Sequence, residues 1–142
     1  MKRSVIFVFF ALLSMASFAQ SNKTVETQKD RYGHITGTAT TTTDSRGNQK
    51  TVYKDQYGHI TGTSEARPTY GGRVQTTYKD RYGHITGSSE TRSSYGNRST
   101  TTYKDQYGHI TGSSETRTNN SGKSTTTYKD KYGHIKGTSN TH

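Results

Sequence analysis

Five histidines stand 25 residues apart: His34, His59, His84, His109 and His134. Each follows an aspartate by four residues (Asp30, Asp55, Asp80, Asp105, Asp130) and a tyrosine by two (Tyr32, Tyr57, Tyr82, Tyr107, Tyr132). Imidazole is the commonest protein metal ligand, so a converging set could hold Zn, Ni or Cu, or switch at about pH 6. Repeated tyrosines beside Arg31, Arg81 and Lys131 could stack on sugars or single-stranded bases. Catalysis has little to stand on. The chain has no Cys, no Gly-x-Ser-x-Gly elbow, no phosphate loop and no His-Glu-x-x-His. An active site needs one asymmetric constellation, whereas each candidate group here occurs five times in like surroundings. No enzyme and no cofactor is expected.

These residues sit in a strict repeat. Tyr-Gly-His-Ile recurs every 25 residues, preceded by Lys-Asp and followed by glycine. Five units run over about 24–48, 49–73, 74–98, 99–123 and 124–142, without insertions. Each unit reads as a β-hairpin. Thr51-Val52-Tyr53-Lys54 is strand-like, and Asp55-Gln56-Tyr57-Gly58 is a turn in which Asp caps backbone N–H groups and Gly takes positive φ. His59 to Ser64 returns as the second strand, and residues 67–72, 92–97 and 117–122 read as solvent-facing connectors. A four-residue loop pairs Tyr53 with Ile60 and puts both on one face with Gly62. A three-residue loop would set Ile60 beside Lys54 and divide the apolar pair between faces, so the longer loop is preferred. Strand alternation then turns the histidines away from the isoleucines, spread outward, so no metal site is favoured over the alternative of an inward ring.

Residues 1–19 read as a signal peptide: Lys2 and Arg3, an apolar run over 5–13, and Ser17-Phe18-Ala19 before the cleavage point. The run is short for a membrane span of about 20 residues, so no transmembrane segment is expected in the mature chain. Without Cys there is no lipid anchor on cysteine and no disulfide. The expectation is export from a bacterial cytoplasm, to the periplasm or beyond. The processed chain carries 18 Lys+Arg against 10 Asp+Glu, a net charge of +8. It keeps all eleven Tyr but loses every Phe and Met. So few aliphatics at high charge is a composition typical of disorder, but the Tyr- and Thr-rich periodicity argues for strands.

One sparse apolar face per hairpin is too little to stand alone. The first and last units resemble the middle ones, apart from Gln28 where the others carry Tyr, so no caps for an open stack are evident. The expected architecture for residues 20–142 is therefore one all-β domain, a closed five-fold ring of antiparallel β-hairpins. Its core would be Ile35, Ile60, Ile85, Ile110 and Ile135, with Gly37, Gly62, Gly87, Gly112 and Gly137 as a crowded layer admitting no side chain.

Five hairpins of the pattern Tyr-x-Asp-x-x-Gly-x-Ile-x-Gly, the first with Gln28 in place of the leading Tyr, stand behind a signal peptide and resemble the β-flower proteins in their five-fold form. The resemblance covers about residues 24–142 and implies hairpins splayed around an axis; it implies no established activity. Tyr53, Asp55, Gly58 and Ile60 are also similar to the YD repeat of large secreted shells, with Lys54 where those repeats carry a second Tyr. The expected function is that of an exported, non-enzymatic structural or interaction protein of the cell envelope. The alternatives are a binding module for an anionic glycan, lipopolysaccharide or nucleic acid, using Tyr32, Tyr57, Tyr82, Tyr107 and Tyr132 with the neighbouring cations, and metal binding by the histidine ring.

Overall fold

Alternating Thr, Tyr, Lys and Ser make ten strands joined by short turns. A computed structural model describes residues 22–29 and 32–141. The strands are β1 (Asn22–Lys29), β2 (Ile35–Thr43), β3 (Gln49–Asp55), β4 (Ile60–Thr69), β5 (Arg73–Asp80), β6 (Ile85–Ser94), β7 (Arg98–Asp105), β8 (Ile110–Thr118), β9 (Ser124–Asp130) and β10 (Ile135–Thr141). They form one antiparallel meander in chain order. Among the described residues, contacts between strands join only sequence neighbours. The sheet is therefore open, with β1 and β10 as its edges, and the closed ring expected from the repeats is not formed.

The register supplies the physical reason. Tyr53 lies opposite Gly62, and Gly62 lies opposite Asp80, two residues beyond Tyr78. The same step recurs at Gly37↔Asp55, Gly87↔Asp105 and Gly112↔Asp130. Two residues at each of four steps displace the fifth hairpin from the first by eight, roughly 27 Å along the strands. The five hairpins therefore stand at successive heights along the strands, where the expected ring would hold them at one.

The turns explain where the isoleucines go. Asp55 N–H donates to His59 O at 2.9 Å and Gly58 N–H to Asp55 O at 3.1 Å, with Gly58 at φ 87°. The loop is thus three residues, the shorter of the two readings, and Ile60 pairs with Lys54. A β-bulge follows at once, so Thr61 has no opposite number and Tyr53 meets Gly62. The bulge recurs in all five hairpins. The five isoleucines stay at the turn end, 48–66% exposed, instead of meeting as a core.

What replaces an aliphatic core is a row of tyrosines. The Tyr53 ring extends past Gly62, and its hydroxyl lies 3.0 Å from Ser64 Oγ. Tyr78 and Ser89 stand at 2.9 Å, Tyr103 and Ser114 at 3.1 Å. Each serine also faces the next tyrosine across the ladder, as Ser64 faces Tyr78. Ser64, Ser89 and Ser114 are consequently 4–6% exposed, while Ala39 is the one buried hydrophobic among the described residues. The first hairpin replaces both members of the pair, with Gln28 and Ala39. Thr41–Thr51, Thr91–Thr101 and Thr116–Thr126 hydroxyl bonds, each 2.8 Å, continue this face toward the connector end.

Tyr78→Phe is expected to destabilise the chain by about 1–2 kcal/mol, because the buried Ser89 hydroxyl loses its partner. Adding Ser89→Ala is expected to recover most of that loss, as the first hairpin already does. Guanidinium unfolding midpoints measure both, and a Tyr78→Phe midpoint equal to the parent's would contradict the pairing.

Candidate functional site

The candidate residues occupy two places. The Tyr-Gly-His turns line one end of the sheet, in successive steps of two strand spacings across and two residues along, roughly 12 Å. In each fully described turn the Asp carboxylate accepts backbone N–H bonds from the Tyr and the His, 2.9 Å each at Asp55. The imidazole Nδ1 lies against the second carboxylate oxygen, at 3.3 Å for His59, 3.1 Å for His84, 3.2 Å for His109 and 3.3 Å for His134. Partial desolvation by itself would raise the Asp55 carboxyl. The backbone bonds from His59 and Tyr57, with the His59 ring, outweigh it and hold the group below its ordinary value. Asp80, Asp105 and Asp130 are lowered by the same set of bonds.

Such steps are far too long for two imidazoles to share an ion with ligand bonds of about 2 Å. Among the described residues no three His, Cys, Asp or Glu side chains come together as a metal site. Asp55, Asp80, Asp105 and Asp130 are turn caps, and His59, His84, His109 and His134 flank them. The turn tyrosines are 69–77% exposed. Arg81 stacks on its own neighbour, with Cζ 4.7 Å from the Tyr82 ring centre, and Lys131 does the same at 4.9 Å from Tyr132. Gln56 and Gln106 occupy that position beside Tyr57 and Tyr107. Arg31 and Asp30 lie outside the described residues, as do residues 1–21, with the expected leader, and His142. The turns thus hold Tyr and cation against each other rather than offering five equal stacking platforms.

A depressed folded pKa stabilises the fold above the unfolded carboxylate value of about 3.9 and ceases to do so as pH falls through the folded value. Unfolding is therefore expected to set in below pH ~4 and to move toward neutral pH in Asp80→Asn, read as ellipticity against pH. On the alkaline side burial pushes the Tyr78 phenol up to about 12. A raised folded pKa stabilises below the unfolded value of about 10, so stability is expected to fall between roughly pH 10 and 12.

The second place was not legible as a site. Arg67, Arg92 and Arg117 read as the start of connectors, yet they continue the strands. Alternation then puts every Lys and Arg of β3–β9 on the face opposite the tyrosines. All of them but Lys54 gather in threes around one carboxylate. Glu90 is reached by Arg92 at 2.6 Å and Arg73 at 3.9 Å, with Lys104 alongside. Glu115 is reached by Arg117 at 2.7 Å and Arg98 at 2.9 Å, with Lys129 alongside. Glu65 has Lys79 at 3.2 Å, Arg67 at 3.6 Å and Lys50 directly across the ladder. The Arg92 hydrogen bond, chiefly, holds Glu90 below the usual carboxylate range; Arg117 does this for Glu115. Arg73 lies straight opposite Arg92, and Arg98 opposite Arg117. Like charges directly across a ladder repel, so each glutamate answers only part of its cluster's charge. The signal that could have found this face is the Glu-x-Arg spacing of two, a strand period.

Compared with known proteins, the chain matches no family model, no curated protein and no solved structure.

Proposed function

We propose that this is an exported, non-enzymatic interaction protein whose basic face binds a linear polyanion, an acidic glycan of the envelope above all. One observation carries the reading: three clusters of three cations to one carboxylate, all on one face of the sheet. The net charge is concentrated where a chain of carboxylates, sulfates or phosphates lying across the strands would meet each cluster in turn. The opposite face carries Tyr, Ser and Thr, with no Lys or Arg in β3–β9. The leader over residues 1–19 supports a site outside the cytoplasm, periplasmic or secreted.

Salt titration tests it. The chain is expected to bind heparin and duplex DNA at 50 mM salt, to lose affinity steeply by 200 mM, and to ignore neutral dextran. Absence of salt-sensitive binding to either polyanion would remove the proposal.

A further inference from the structure

Inside the sheet, each even strand meets the following odd strand in one register. Gly62 faces Asp80, Gly87 faces Asp105 and Gly112 faces Asp130. At these joints the glycine is enforced by the incoming strand. A Cβ would lie 2.7 Å from Lys79 O at Gly62, 2.5 Å from Lys104 O at Gly87 and 2.6 Å from Lys129 O at Gly112. Gly137 holds the same place on β10, whose far side pairs with no described strand. Its Cβ position has nothing within 4 Å among the described residues, and its φ is not positive. Neither packing nor backbone conformation within the chain calls for glycine there. The neighbour that would call for it is a strand paired with β10, and among the described strands β1 alone is left with an open ladder side.

We infer that β10 of one copy pairs with β1 of a second copy, in the register of the internal joints. Ser139 then faces Gln28 and Thr141 faces Glu26 of the other copy, with Gly137 just beyond Lys29. Lys136, the one charged residue at the bulge position of β10, does not obstruct this. Its counterpart Thr61 takes no part in the β4–β5 ladder. The joint satisfies two rows of unpaired backbone groups and carries the stepped register on without a break. Both faces continue across it, so the basic face lengthens with each copy. The two edges differ, so the contact is head-to-tail and the assembly open-ended.

The absence of native Cys makes the register testable by cross-linking. Ser139→Cys and Gln28→Cys chains, purified separately and mixed under oxidation, are expected to form a disulfide dimer that neither forms alone. The double variant is expected to give a ladder of oligomers. A double variant that closes only on itself, Ser139→Cys pairing with its own kind, or no cross-link in the mixture would each overturn the inference. Gly137→Ala supplies a second reading. It is expected to melt like the parent but to lose the concentration-dependent rise in sedimentation coefficient. Full association of Gly137→Ala would refute the joint, since the second copy's Lys29 carbonyl should exclude the methyl group.

Discussion

Gly87→Ala is expected to destabilise the sheet by about 1–3 kcal/mol, the range for forcing extra atoms into a packed place. The added methyl would sit 2.5 Å from Lys104 O, a backbone atom that cannot swing aside. To relieve the clash β6 and β7 must separate, which weakens their ladder and the Ser89–Tyr103 contact across it. Gly87 has no positive φ, so the penalty is steric and not conformational. Small domains are stable by only about 5–15 kcal/mol, and with one buried hydrophobic among its described residues this one is expected near the lower end. Gly62→Ala and Gly112→Ala lie two repeats apart and share no neighbours, so their costs should add. Urea unfolding midpoints for the single and double variants measure this. Gly87→Ala as stable as the parent would mean that the strands are not spaced as described.

The second large effect concerns the basic face. Replacing Arg73, Arg92, Arg98 and Arg117 with Gln is expected to lower duplex DNA affinity on the order of 10³-fold at 0.1 M salt. It should also flatten the slope of log K against log salt by roughly 3–4, near 0.9 per lost phosphate contact. These side chains are 43–65% exposed, so the fold should tolerate the change. Glu90 and Glu115 are left without their arginine partners and repel the polymer further. Arg81→Gln with Lys131→Gln removes charge from the turns while sparing the face, and is expected to change the slope by less than one. If the turn variant weakens binding as much as the face variant, binding resides with the turn tyrosines and their cations.

Several structural features were legible in single residues. Asp55 and Gly58 announce the turn, because one caps N–H groups and the other accepts φ 87°. Tyr53 and Gly62 were placed on one face, which they share, and a side chain was excluded at Gly62, where a carbonyl stands 2.7 Å from the Cβ position. The partner of Tyr53 was not legible. A bulge adds one unpaired residue without altering composition or period, so Thr61 looks like any strand threonine. That one residue decides that Tyr53 covers Gly62 and that Ile60 stays at the turn. Arg67, Arg92 and Arg117 were missed because nearby Gly and Asn mark the ends of strands but not how far the strands reach.

The amino-acid sequence by itself determined the unit: five hairpins repeating every 25 residues, the capped turns, the excess of positive charge and, at Gly37, Gly62, Gly87 and Gly112 though not at Gly137, a glycine that takes no side chain. All of these are local, set by spacing and residue type within one repeat. Only the tertiary structure decided how the units join. The two-residue step between hairpins is identical at every joint, so it leaves no mark on a periodic sequence. Its sum over the chain sets the five hairpins at successive heights, and the pairing leaves β1 and β10 as the edges of an open sheet with the cations of separate hairpins on a single face.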